Sequence, residues 1–491
     1  MVLNNYGMAL TKEVGYVDSF YKGVGRISGL PNVFLHEVLE WEDKTPAALV
    51  IGYSLDFVEA IFFQKKDINL NKPLFRTKKV IEIPVGEGYL GRVINGLGEP
   101  IDGLGEIKGK FYSSLFKEAP GIIEREPVDT PLLTGIKVID STLPIGRGQR
   151  ELIIGDKKIG KTSLALSIAI NQKNNQKNGL RQVYNIYVII GQKRNKVEEV
   201  VQTLKKYGVM SQSVVVVALA DDPLVAQYLA PYVGCTIGEY FRDKGEDALL
   251  IYDDLSKHGK AYRTISLLLE RPPGREAYPG DIFYLHATLL ERAAKLSKEK
   301  KGGSLTALPI IETVENDITA FIPTNLISIT DGQIYLDPNL FSQGFLPAVN
   351  IGLSVSRVGS NAQNNLLKEV TKSLKLIISQ HDSLKKLIQL ESHLSEKAKK
   401  NFQRGELIIE ALKQEKFFSL SLFEEIVIFW GLTYDYFLSI KKEEWFHFEK
   451  ELIFYIRSIN KREINKILKK PFEEAKKDIE KIIKNFLESR L

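Results

Sequence analysis

The stretch Glu151-Leu-Ile-Ile-Gly-Asp-Lys-Lys-Ile-Gly-Lys-Thr-Ser163 decides the reading of this chain. Residues 155–163 fit the phosphate-binding pattern G-x-x-x-x-G-K-[ST]. The apolar run Glu151–Ile154 before it reads as a buried strand, and Ser163-Leu-Ala-Leu-Ser-Ile-Ala-Ile170 after it reads as a helix. Strand, glycine loop and helix in that order make the context in which the pattern binds phosphate. A helix N-terminus presents unpaired N–H groups and a positive dipole end to an anion. Gly155 and Gly160 let the backbone wrap close to the phosphates. Lys161 is placed to reach the β- and γ-phosphates, and the Thr162 hydroxyl to ligate Mg²⁺. The nucleotide-contacting segment is Gly155, Asp156, Lys157, Lys158, Ile159, Gly160, Lys161, Thr162 and Ser163.

Working outward, the alternation of strand and helix signals from about residue 86 to 363 implies a parallel sheet covered on both faces. Strand candidates are Leu152–Ile154, Val183–Ile190, Ser213–Leu219, Ala248–Tyr252 and Leu305–Ile311, with helical patterns such as Lys196–Tyr207 between them. Ligands of such folds bind beyond the carboxyl ends of the strands, where the glycine loop falls. Residues 1–85 read as a small β-barrel, from runs such as Phe34–Leu39, Ala47–Gly52, Val58–Phe63 and Lys79–Ile83 split by turn residues. The glycine-rich stretch 86–105 reads as a linker. Residues 364–491 read as a helical bundle, because Leu367, Val370, Leu374 and Ile377 recur at spacings of three and four. The expected architecture is therefore a β-barrel, a central α/β P-loop domain of the RecA-like kind and a C-terminal α-helical domain.

Bulk properties limit the function classes. A chain of 491 residues with 44% hydrophobic and 26% charged residues is an ordinary multidomain globular protein. A net charge of only +6, with acidic and basic residues interleaved, argues against a dedicated nucleic-acid surface. One cysteine, Cys235, excludes an intrachain disulfide and fits a reducing compartment. It falls in the helix-like run Pro223–Gly245 and reads as a packed small residue. The amino terminus lacks a signal-peptide pattern. The longest apolar run, Ile426–Leu432, is far short of a membrane span. A cytoplasmic protein is expected, brought to the inner face of the cell membrane only through partners.

Three further elements carry chemistry. Ala248-Leu-Leu-Ile-Tyr-Asp-Asp254 is an apolar strand ending in acid, and Asp253 is placed to hold Mg²⁺ through its water shell. Gly191-Gln-Lys-Arg194 puts an amide, Gln192, where a hydrolase needs a group to position or deprotonate water. An amide cannot accept that proton, and general-base help is worth about 10²- to 10⁴-fold; a glutamine can still orient a water. Arg357, in Ile351-Gly-Leu-Ser-Val-Ser-Arg-Val-Gly-Ser360, suits an arginine finger, since its planar fork pairs with phosphate oxygens. The run Arg271-Pro-Pro-Gly-Arg-Glu-Ala-Tyr-Pro-Gly280 is a rigid irregular loop suited to contact with a partner.

Together these motifs resemble the α subunit of F-type ATP synthases, from about residue 14 to the end. The likeness is dense at Leu133–Gly155, Ile251–Lys295 and Gly302–Gln363, and Tyr252–Lys257 and Gly191–Arg194 have the α form. The catalytic β subunit of that family carries Glu where Gln192 stands. The resemblance implies an α₃β₃ ring around a rotating γ-like shaft, with ATP or ADP and Mg²⁺ bound at the α-type site without turnover. It implies that Arg357 acts in trans on the neighbouring β-type site and that loop 271–280 forms the bearing around the shaft. Pro347 and Gln414 match positions beside the family's adenine pocket. The sequence also departs from the family. Lys157, Lys158 and Ile159 replace the usual Arg, Gln and Thr; Leu346 replaces an Arg; Lys416 replaces a Gln. The family's amino-terminal helix that docks the peripheral stalk is expected to be absent. That pattern is similar to the α-like subunits of mycoplasma F-type-like ATPases and implies a dedicated hydrolysing motor with system-specific partners. The other variant is a subunit of an ordinary proton-translocating synthase. A self-sufficient P-loop ATPase, with Gln192 alone positioning water, and a Rho-like RNA translocase are alternatives from other classes; the charge balance disfavours the latter.

Overall fold

The computed structural model describes residues 13–64, 68, 70–388 and 396–490. Residues 14–80 form a closed six-stranded barrel. Around it run Val14–Tyr21, Val24–Ser28, Val58–Phe62, Pro46–Tyr53, Glu37–Glu40 and Pro73–Val80, which pairs back onto the first strand. Closure removes the free edges that an open sheet of this size would expose. The inward residues Val17, Ile27, Leu39, Trp41, Ala48, Val50, Ala60 and Phe62 fill its core. The run Lys79–Ile83 is not one strand: Pro73–Val80 belongs to the barrel, whereas Glu82–Val85 pairs with Phe111–Ser114. The glycine-rich stretch 86–105 is more than a linker, because Val93–Asn95 joins the edge of the central sheet.

Among the described residues that sheet has eight strands. From edge to edge they are Val355–Ser356, Gly332–Tyr335, Glu151–Gly155, Ser304–Glu312, Asp247–Asp253, Val183–Gln192, Ser213–Leu219 and Val93–Asn95. All neighbours are parallel except the first pair. Strands buried on both faces read as continuous apolar runs, and their side chains alternate between two cores. Tyr187 and Ile189 face one, while Ile186, Val188 and Ile190 face the other. The first core takes in the helix Lys161–Lys177 and runs on into the carboxyl-terminal helices. The second lies under the helices Leu224–Lys244 and Leu255–Leu268.

The carboxyl-terminal part is helical. Leu367, Val370 and Leu374 are buried, but they belong to two helices, Asn365–Thr371 and Leu374–Ile388. At the centre of this part is Leu422–Thr433, whose residues Phe423 to Leu432 are all buried. A helix buried on every side is the middle of a bundle; the apolar run Ile426–Leu432 serves that place, and the helix also buries Glu424 and Glu425. Ser421 and Glu424 cap it reciprocally. Among the described residues no helix is long and apolar enough to cross a membrane.

Candidate functional site

The glycine loop connects the strand Glu151–Gly155 to the helix Lys161–Lys177. Its first glycine is required by close approach: a Cβ at Gly155 would lie 2.7 Å from the Leu336 carbonyl oxygen. Gly160 caps the helix at φ +99°, a left-handed conformation that glycine adopts without strain. Ile159 is buried in the core below the loop, whereas Lys157 and Lys158 are exposed. The Ile159 side chain thus packs away from any phosphate, which the loop meets through backbone N–H groups. The Asp156 carboxylate accepts from Thr313 Oγ1 and the Asn316 N–H, tying the loop to the segment after the strand Ser304–Glu312. Ser163 is partly exposed in the first turn, and its carbonyl accepts from Ser167.

Lys161 is buried, and its Nζ donates to the Gly155 carbonyl at 2.7 Å. Burial pulls its ammonium below the ordinary value, while Glu312, Asp254, Asp253 and Asp156 push it back up. Thr162 Oγ1 donates to Asp253 Oδ2 at 2.8 Å, and Tyr187 OH donates to the same oxygen at 2.9 Å. Gln192 Nε2 lies 3.1 Å from Asp254 Oδ2 and 3.4 Å from Asp253 Oδ1. The two aspartates divide their work. Asp254 caps the helix Leu255–Leu268 through the Lys257 N–H and pairs with Lys257 Nζ at 3.2 Å. Burial pushes its carboxyl up to about 6 against the pull of Lys257. Asp253 instead faces Thr162. An acid and a hydroxyl side by side are hard oxygen donors, and Mg²⁺ takes one or two such groups together with phosphates. Among the described residues no group of three or more His, Cys, Asp or Glu could hold a metal alone. A divalent ion here would therefore be bound with a phosphate ligand, and the donors fit Mg²⁺.

The structure brings Lys161, Thr162, Gln192 and Asp253 together at the carboxyl end of one sheet, the strand Ser304–Glu312 lying between the glycine-loop strand and the one that ends in Asp253. Pro347 lies at the same end: its neighbour Ala348 accepts from Asp337, two residues beyond the strand Gly332–Tyr335. Gln414 meets this segment through its backbone, the Gln414 N–H donating to Leu346 O at 2.7 Å. The Gln414 amide is engaged elsewhere. Nε2 donates to Gly135 O and Phe418 O, and Oε1 accepts from the Lys137 N–H. Both its N–H groups are thus bound to backbone, so it fastens two chain segments and has no donor left to read a base.

Arg357 stands apart from this group. Gly332 pairs with Glu151 on one side and with Ser356 on the other. Arg357 therefore sits at the amino end of the strand whose carboxyl end opens into the glycine loop. Its Nη2 donates to the Ile327 and Thr330 carbonyls at 2.8 and 2.9 Å, and its backbone N–H donates to Asp331 O. The rest of the side chain is exposed. Loop 271–280 is exposed from Pro272 to Ala277 and preshaped: Gly274 N–H donates to Tyr278 O, and Glu276 accepts from the Phe321 N–H. Three site residues went unseen in the sequence, namely Tyr187, Lys257 and Glu312. The only signal for Tyr187 is a polar tip inside an apolar strand.

Comparison with known proteins agrees with this geometry. The model of the ATP synthase alpha/beta family, nucleotide-binding domain, matches residues 135–356. That of the ATP synthase alpha/beta chain, C terminal domain, matches residues 363–488. An ATP synthase subunit alpha from Petrotoga mobilis is 46% identical over 99% of this chain and 96% of its own length. One from Rickettsia bellii is 47% identical over 97% of this chain and 93% of its own length.

Proposed function

The chain belongs to the ATP synthase α subunit family, and we propose that within the rotary complex it is the nucleotide-binding subunit that does not turn over its own nucleotide. It holds Mg-ATP or Mg-ADP on the glycine loop and inserts Arg357 into the catalytic site of an adjacent β-type subunit in an α₃β₃ ring. The observation that carries this reading is the placement of Arg357 at the opposite end of the sheet from this chain's own glycine loop. A strand rises about 3.3 Å per residue, so the five residues Glu151–Gly155 hold the two roughly 13 Å apart along the strand. An arginine so placed serves a site outside the chain.

The local site supports the passive half of the reading. Lys161, the helix N-terminus and the Thr162–Asp253 pair supply charge neutralisation for phosphates and their Mg²⁺. Gln192 offers an amide whose N–H groups point at Asp254 and Asp253. The Gln192 position itself holds an amide, which cannot take a proton from water. Two outcomes follow. The isolated chain is expected to bind Mg-ATP with negligible steady turnover and to support turnover once assembled with its β-type partner; sustained hydrolysis by the chain alone would refute the passive role. Lys161→Ala is expected to weaken nucleotide binding about 10²-fold, from loss of a charged hydrogen bond and its charge, measured by titration with a fluorescent nucleotide.

Loop 271–280 suits the bearing around a central shaft, being exposed yet braced. The complex would lie at the cytoplasmic face of the membrane through its partners. The coupling favoured here is that of a synthase, because the identity to synthase α subunits extends along 96% and 93% of their lengths. The dedicated-motor reading rested on the expected absence of a stalk-docking helix, a point that falls on residues 1–12, outside the described residues. Co-purification of stalk and membrane-rotor subunits tests the choice, and other partners in their place would favour the motor.

A further inference from the structure

We propose that Asp140 and Glu425 form a buried proton-binding site, sharing one proton across the seam between the nucleotide-binding region and the helical region. Asp140 lies in the short helix Lys137–Thr142, and Glu425 in the bundle helix Leu422–Thr433. The two side chains are 3% and 0% exposed and within hydrogen-bonding reach of one another. Asp140 already accepts three donors: the Thr134 N–H at 3.0 Å, Thr134 Oγ1 at 2.7 Å and the Gly135 N–H at 2.8 Å. Among the described residues neither oxygen of Glu425 meets any donor. An ionised carboxylate with no donor, buried beside a second carboxylate, is costly in free energy. Two carboxylates are acceptors only, so their contact becomes a bond when one carries a proton. Asp140, rich in donors, is the acceptor, and Glu425 is the acid that donates.

Neighbouring charges do not remove the need for that proton. The Lys137 ammonium, one turn before Asp140, is bonded to Glu449, which also accepts from Trp445 Nε1. Glu424 is taken by Arg457 and by the cap at Ser421. Glu410, also near Lys137, is paired with Lys413. Burial pushes both Asp140 and Glu425 up from the ordinary carboxylate range; the Asp140 charge raises Glu425 further, whereas Asp140 is eased by its Thr134 and Gly135 donors and by the hydrogen bond from Glu425. The site also borders the nucleotide-binding helix. The Leu133 carbonyl, beside Thr134, accepts from Asn171, Gln172 and Asn175 of the helix that begins at Lys161. The proton thus fastens a seam that runs from the glycine-loop helix to the bundle.

The sign of the pH dependence follows from linkage. The folded pair keeps a proton that the unfolded chain releases in the ordinary carboxylate range. Its contribution is therefore complete below that range and is lost as pH rises through the folded value. Glu425→Gln supplies a permanent donor of the same shape. We expect the full-length Glu425→Gln chain to match wild type in thermal midpoint near about pH 4 and to exceed it by about 2–4 °C near pH 8. Refolding at about pH 6, followed with an indicator dye, should take up about one proton fewer in the variant. A midpoint difference independent of pH, or equal proton uptake, would overturn the site. So would stabilisation of wild type, but not of Glu425→Gln, by a metal cation titrated at about pH 8, since the carboxylates would then be holding the cation. Should the variant not fold, infrared spectroscopy of wild type decides: protonated carboxyl absorption that survives at neutral pH and disappears on alkalinisation is expected, and its lack at neutral pH overturns the proposal.

Discussion

Arg357→Ala in the assembled complex is expected to lower ATP turnover about 10³-fold, the lower end of the range for an arginine finger, while leaving nucleotide binding to this chain unchanged. The reasoning is geometric. Arg357 directly follows the edge strand Val355–Ser356, which pairs antiparallel with Gly332–Tyr335. Its Nη2 is anchored on two carbonyls at the end of the helix Phe321–Ile329. Among the described residues these are the hydrogen bonds its guanidinium makes, so Nη1 and Nε remain as donors for phosphate oxygens. In the proposed trans role, removing it withdraws charge stabilisation from the neighbour's transition state. The loss should therefore fall on kcat more than on KM. Arg357→Lys should recover little, because an ammonium is a point charge without the fork. Steady-state kinetics of the assembled variants checks this, and near-normal turnover in Arg357→Ala would refute the assignment. A loss of nucleotide binding to this chain would instead mean that the arginine acts on its own site.

Why the placement of Arg357 away from the glycine loop could not be read from local sequence is visible in the register. The glycine loop was legible because strand, loop and helix are contiguous, so the chemistry follows from spacing alone. Asp253 and Gln192 were legible as polar ends of apolar runs. Tyr187 was not. It reaches Asp253 because the strand Val183–Gln192 lies directly beside Asp247–Asp253, Val188 opposite Tyr252 and Ile189 opposite Asp253. That adjacency is a property of strand order, which no window of sequence contains. The same holds for Lys257, which meets Glu312 across from the neighbouring strand at 3.2 Å. The opposite-end placement of Arg357 likewise comes from the pairing of Glu151 with Gly332 and of Gly332 with Ser356. The short barrel strands Val14–Tyr21 and Val24–Ser28 escaped notice because glycine, serine and aspartate interrupt their alternation. Closure into a barrel, a tertiary effect, holds them extended. The break between the helices ending at Thr371 and starting at Leu374 has neither proline nor glycine to announce it.

The largest stability effect is expected from Glu239→Ala. Glu239 lies on the helix Leu224–Lys244, which packs over the strands that end at Gln192 and Asp253. Its two oxygens accept from Arg292 Nε at 2.9 Å and Nη2 at 2.6 Å, and both residues are 1% exposed. Arg292 also donates to the Leu115 carbonyl and to Thr236, so every part of its guanidinium is bonded. Burial opposes the charge on Glu239, but Arg292 overrides it and holds the carboxyl below its ordinary value. Removing the acid leaves an uncompensated buried guanidinium, at a cost of about 3–5 kcal/mol. Replacing both partners with apolar residues of similar volume should cost less than the single change, because Arg292 is no longer left unpaired and Arg242, also near Glu239, keeps its pairing with Asp243. The linkage has the opposite sign to that of Asp140 and Glu425. A depressed carboxyl stabilises above its ordinary range, and that contribution is lost as pH falls through the folded value. Wild type should therefore lose stability on acidification more steeply than Glu239→Ala. Urea denaturation across pH checks both the size and the slope. The folded fraction of Glu239→Ala should still bind nucleotide with wild-type affinity at low temperature, because Arg292 lies under the sheet and touches none of the groups that meet phosphate. A variant that folds fully yet binds nucleotide weakly would instead mean that the Glu239–Arg292 pair sets the position of Asp253 through the helix above it.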